Sequence, residues 1–190
     1  MCGIVSYLGK SDSVSILLRG LQRLEYRGYD SAGLALIDGD NLSCIKKSGK
    51  VHELNSKIEK VSIKGNCGIA HTRWATHGPP NDTNAHPHLD QTGKIALVHN
   101  GIIENYSSIK MTLEGRGIKF TSDTDTEVLV QLISELYYNN DKKVSFENAV
   151  KAALQEVVGA YGIVAICVDE PDKMVAARMG SPLVLGVGDG

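Results

Sequence analysis

Strand-forming runs gather at both ends of this chain, and two long helical runs stand together in its second half. That order suggests mixed α+β layers and argues against a regular βαβ alternation. The first apolar strand opens at Ile4-Val5. Asp12 stands where it can cap a helix whose Val14, Leu17, Leu18, Leu21 and Leu24 share one face, with Gly28 placed to end it. Residues 32–37 and 42–46 read as a hairpin across Asp38-Gly39-Asp40, followed by a short helix through Val51, Leu54, Ile58 and Val61. Strands are predicted over 67–71, 95–98, 161–168, 174–177 and 183–187. Helices are predicted over 105–117 and 124–138, and through Ala149 to Val157 behind a Ser145 cap. No internal repeat or linker divides the chain, so one domain over 1–190 is expected. Gly188-Asp189-Gly190 reads as a turn leading into a further strand, so the domain is expected to be incomplete at its C-terminal end.

Cys2 directly follows the initiator methionine. Methionine is readily trimmed before a small residue, and trimming would place a thiol and a free α-amine on one residue. The amine has an unperturbed pKa of about 7.7–8.0 and the thiol about 8.5, so one can take the proton while the other attacks. Such a cysteine needs no distant histidine as base.

At 190 residues the chain can bury one substantial core. A formal charge of −2 gives no electrostatic reason to expect nucleic acid or a membrane surface. No apolar run approaches the roughly 18 residues of a membrane-spanning helix. The four cysteines, Cys2, Cys44, Cys67 and Cys167, form no CxxC pair, which suggests reduced thiols and a cytoplasmic setting. The last three lie in apolar runs and read as core filler.

Several polar stretches stand at strand ends or in loops, where sites are built. Arg73, beside the single tryptophan Trp74, is a candidate for binding a substrate carboxylate through its guanidinium fork, or an arginine in a surface ion pair. Asn100-Gly101 can aim two donors at one oxygen, as a developing oxyanion requires, but the same dipeptide is a common tight turn. Asp123 and Asp125 can accept from an ammonium or serve the start of the following helix. His77, His86 and His88 invite a metal reading, yet their spacing matches no compact zinc pattern, and no metal or cofactor is expected. A terminal thiol, a carboxylate clamp and an oxyanion hole together suit acyl transfer from an amino-acid-like substrate through a thioester.

Longer blocks carry a family resemblance. Cys2-Gly3-Ile4-Val5, Leu24 through Gly33, His71-Thr72-Arg73-Trp74-Ala75-Thr76-His77-Gly78, Asn84 through His88, His99 through Asn105, and Thr124-Asp125-Thr126-Glu127 resemble the amino-terminal glutaminase domain of the glucosamine-6-phosphate synthases. The glutaminase half of the purine-pathway phosphoribosyl amidotransferases shares the terminal cysteine and the Asn-Gly pair but typically carries a different arginine block. The resemblance implies an N-terminal-nucleophile hydrolase fold, a four-layer α/β/β/α sandwich with two antiparallel sheets. It implies L-glutamine as ammonia donor, Cys2 as nucleophile, and Asn100 with the Gly101 N–H as oxyanion hole. It further implies that Arg73, Thr76 and His77 bind the α-carboxylate and Asp125 the α-ammonium. Trp74 would lie on a closing loop, and Arg27 would orient the nucleophile. In that family the ammonia passes to a sugar-phosphate isomerase domain that binds fructose 6-phosphate, a domain not expected within these residues. A catalytically silent glutamine-binding module is the alternative from another class.

Overall fold

The computed structural model describes residues 2–74, 78–139 and 144–188. Two four-stranded antiparallel sheets form its centre. The first has strand order β1-β4-β2-β3, from β1 (Gly3–Leu8), β2 (Ser31–Asp38), β3 (Asn41–Ser48) and β4 (Cys67–Arg73). The second has order β5-β6-β7-β8, from β5 (His88–Leu89), β6 (Ile95–Ile103), β7 (Gly159–Cys167) and β8 (Met174–Met179). Helices α1 (Ser13–Leu24) and α2 (Val51–Ile58) cover the first sheet. Helices α3 (Tyr106–Gly115), α4 (Asp125–Tyr138) and α5 (Phe146–Glu156) lie on the side of the second.

The central strands bury both faces, and the period-2 pleat explains their near-continuous apolar runs. On β2, Leu34 and Leu36 face Leu17, Leu21 and Leu54 of the helices, while Ala35 and Ile37 face the other sheet. On β6 and β7 the division repeats. Leu97, Ile163 and Ala165 meet Ile133, Phe146 and Val150 of α4 and α5. Ala96, Val98, Val164 and Ile166 join Ile69 and Cys67 between the sheets. The result is the expected four-layer α/β/β/α sandwich.

Four local expectations need correction. The strand expected to end at Val98 continues to Ile103, because β7 pairs with it along its whole length, Asn100 opposite Gly162 and Gly101 opposite Tyr161. Asn100-Gly101 is therefore strand, not turn. Residues 183–187 form no strand: the last pairing in that region is a bridge between Tyr161 and Gly180, and Val184, Leu185 and Val187 stay exposed. Asp12 precedes α1 without a side-chain cap bond; its Oδ1 accepts from Gly65 N at 3.2 Å, tying the helix start to the approach to β4. Asp123 is not the cap of α4 either. Thr124 is, its hydroxyl accepting from Glu127 N, while the Asp123 carboxylate accepts from Asn84 Nδ2 at 3.2 Å. Ser145 caps α5 as expected, through Asn148 N.

Candidate active site

The ends of β1, β4 and β6 converge on one cavity of about 790 Å³. Antiparallel pairing sets Gly3 opposite Thr72, which carries Cys2 to the end of β4 beside Arg73 and Trp74. The Cys2 thiol lies 3.2 Å from Trp74 N, which donates to it, and 3.5 Å from Trp74 O. Its backbone carbonyl accepts from Arg27 Nε at 3.4 Å and from Asn100 Nδ2 at 3.3 Å. Cys2 is thus held from both sheets. Burial raises the Cys2 thiol's pKa, and the Trp74 backbone contact pulls the other way by a smaller amount.

Arg27 reaches Cys2 from a 3-10 turn, Glu25–Arg27, that follows α1. The turn can lie against the end of β4 because Gly28 has no side chain: a Cβ there would stand 2.7 Å from the Arg73 carbonyl carbon. Arg73 is buried and lines the cavity, with Nη1 3.5 Å from Pro79 O. Asp30, Cys2 and Asp125 all support its charge against the downward pull of burial. Trp74 is half-exposed at the cavity rim, edge-on to Tyr29 with ring centroids 5.2 Å apart.

Six of the expected residues, Cys2, Arg27, Arg73, Trp74, Asn100 and Gly101, line this cavity together. Asp125 is set behind the wall in the first turn of α4. There its Oδ2 accepts from Ile103 N at 2.8 Å and its Oδ1 stands 3.9 Å from His99 Nδ1, while its neighbour Thr126 reaches the cavity. Thr76 and His77 lie outside the described residues. His86 and His88 are both buried. His86 stacks on His71, and His88 Nε2 meets the Thr124 hydroxyl at 3.0 Å. Burial holds the pKa of both well below the usual histidine value.

Sequence reasoning missed His71 and His99 as cavity residues. His71 stands two positions before Arg73 on β4, so the pleat alone puts both on one face. It also missed Ser181, Pro182, Leu183 and Val184, which border the cavity outside any strand.

The Cys2 thiol accepts from the Trp74 N–H while an Asn100 N–H holds the Cys2 carbonyl, between two stacked antiparallel sheets, which is the architecture of the N-terminal-nucleophile amidotransferases. Comparison with known proteins agrees. Residues 56–145 match the family described as glutamine amidotransferase domain. Over its whole length it is 54% identical to the glutamine-fructose-6-phosphate aminotransferase (isomerizing) of Chlorobaculum tepidum and 53% identical to that of Bacteroides thetaiotaomicron. It spans 31% of the length of each. Among solved structures it resembles the glutamine phosphoribosylpyrophosphate amidotransferase of B. subtilis, with a TM-score of 0.77 at 28% identity, over 94% of this chain and 37% of that one.

Proposed function

We propose that this domain hydrolyses L-glutamine to glutamate and ammonia through a thioester on Cys2. The observation that carries the reading is the convergence of the Cys2 thiol, the Asn100 amide and the Arg73 guanidinium on one cavity. Loss of Met1 would free the Cys2 α-amine to take the thiol's proton, a step the half-buried thiol needs because its partial burial disfavours the anion. Sulfur then adds to the side-chain carbonyl carbon of glutamine. The oxygen takes negative charge and is stabilised by an Asn100 N–H and the Gly101 N–H. Collapse expels the amide nitrogen as ammonia, carrying the proton from the amine, and leaves the thioester. Water adds to that carbonyl, glutamate departs and the thiol is restored.

Arg73, with Thr76 and His77, would hold the substrate's α-carboxylate and Asp125 its α-ammonium, while closure of the Trp74 segment would shield the thioester from premature hydrolysis. The names of the most similar relatives support a sugar phosphate, fructose 6-phosphate, as the eventual acceptor of the ammonia. The acceptor site would lie in an isomerase domain beyond these residues, in a cytoplasmic enzyme. Among the described residues no helix is long and apolar enough to cross a membrane. The phosphoribosyl enzymes share the fold at roughly half the identity, which favours the sugar acceptor.

The test begins with intact mass, which should show Met1 removed. The trimmed chain should then release ammonia and glutamate in equal amounts from glutamine. A trimmed, folded chain that gains thermal stability with glutamine but releases nothing would be a binding module, and the hydrolase reading would fall. Arg73→Ala should raise KM for glutamine roughly 10- to 100-fold and leave kcat within about threefold, because a charged clamp on a non-reacting group binds ground and transition states alike. A lower kcat at unchanged KM would remove Arg73 from the carboxylate site.

A further inference from the structure

His71 lies outside the expected chemistry, yet it touches a residue central to it. Asn100 Nδ2 donates to the Cys2 carbonyl oxygen at 3.3 Å, and Asn100 Oδ1 lies 2.9 Å from His71 Nε2. A backbone carbonyl can only accept, so the NH2 end of the amide has to face Cys2; the flipped amide would set two acceptors against each other. The amide oxygen then faces His71, and it too can only accept. His71 Nε2 must therefore carry a hydrogen.

The surroundings of the ring agree. His71 is 1% exposed, and burial leads in lowering its pKa to about 3, against smaller upward pulls from Asn100 and the His99 backbone. The imidazole is neutral at ordinary pH and has one hydrogen to place. With that hydrogen on Nε2, Nδ1 is a bare lone pair, and Nδ1 has no hydrogen-bond partner among the described atoms. An unmet acceptor is more readily tolerated in a protein interior than an unmet donor. The ring plane is fixed as well. His86 stacks on it at 4.2 Å and 17°, and His86 Nδ1 in turn accepts from His99 N at 3.3 Å, the residue beside Asn100.

We infer that His71 is a positioning residue: its Nε2–H fixes the Asn100 amide so that one N–H holds the Cys2 carbonyl and the other meets the reacting oxygen of the substrate. This deepens the glutaminase reading and rests on it. His71 itself touches no reacting atom.

Glutamine and asparagine separate the donor from the ring. A glutamine amide nitrogen stands as many bonds from Cα as Nε2 does, and an asparagine amide nitrogen as many as Nδ1. His71→Gln can restore the donor; His71→Asn cannot; both delete the stacked ring. In His71→Asn, kcat for ammonia release should fall roughly 10- to 100-fold with KM within about twofold, since one oxyanion donor is worth about 10²–10³ in kcat and here it is misdirected rather than removed. His71→Gln should recover most of that loss. On an Asn100→Ala background both substitutions should change kcat by less than about twofold, because residues acting through one another are not additive. Equal losses in the Asn and Gln variants, an effect confined to KM, or full additivity with Asn100→Ala would overturn the inference.

A second measurement does not depend on turnover. Two-bond 1H–15N correlations on the wild-type chain at neutral pH should show His71 with Nε2 protonated and Nδ1 bare. The opposite tautomer, or an imidazolium, would overturn the assignment whatever the variants do. A wild-type chain that releases no ammonia would count against the glutaminase reading instead, and the tautomer would still decide this one.

Discussion

Cys2→Ala is expected to lower ammonia release at least about 10⁴-fold, the scale on which loss of a covalent nucleophile acts. Alanine, like cysteine, is small enough for Met1 to be trimmed before it, so the variant keeps the free α-amine and loses only sulfur. The comparison therefore isolates the nucleophile from its base. Arg27 and Asn100 hold Cys2 through its backbone carbonyl, which alanine retains, so the cavity should keep its shape. Glutamine should still raise the melting temperature of the variant, with its mass confirming removal of Met1. Retained turnover in a trimmed Cys2→Ala chain would sink the thioester mechanism, and loss of glutamine binding as well would mean that the sulfur helps to build the pocket.

Gly101→Ala should be the most damaging single-methyl change near the site, for reasons of structure rather than chemistry. Gly101 has φ +132°, a conformation L side chains rarely adopt, and a Cβ there would stand 2.0 Å from Ala160 O and 2.8 Å from Ala160 C. Both atoms belong to the backbone of β7, which cannot yield as a side-chain tip can. Positive-φ strain and backbone overlap together should cost about 3–5 kcal/mol of folding stability. For a domain of this size that lowers Tm by roughly 6–20 °C. Thermal unfolding measures it directly. A Tm within a degree or two of wild type would show that β6 and β7 are not so closely opposed at this point.

Where local pattern and tertiary pairing agree, the fold is legible from the chain itself. The runs through Leu34, Leu36, Leu97 and Ile163 predict strands, and the apolar faces of α1, α4 and α5 predict layers to cover them. Asn100-Gly101 is where local pattern misleads. As a dipeptide it fits a turn or a strand-borne donor pair, and only the partner strand β7, some sixty residues on, decides between them. Residues 183–187 mislead in the opposite sense, since a short apolar run becomes a strand only when another strand hydrogen-bonds to it. Cys2, Arg73 and Trp74 could be found because their chemistry is conspicuous. His71 could not, because a buried histidine in an apolar strand reads as core until its partner is seen to be Asn100. Asp125 is intermediate: its sequence position points to the site, while its carboxylate is engaged with the Ile103 N–H behind the cavity wall.

Cys2 and its amide partner come from different sheets, Cys2 from the head of β1 and Asn100 from β6, and the Asn100 bonds to Cys2 and His71 cross between them. The distance across that crossing is set by the layer of Ala35, Ile69, Ala96, Val98 and Val164, side chains far too inert to appear in any mechanism. Glutamine turnover would thus serve as a ruler laid across the middle of the protein. A loosened state that kept its helices, its strands and even its overall size, but let the two sheets slide by an ångström, would look native to far-ultraviolet spectroscopy and be catalytically dead.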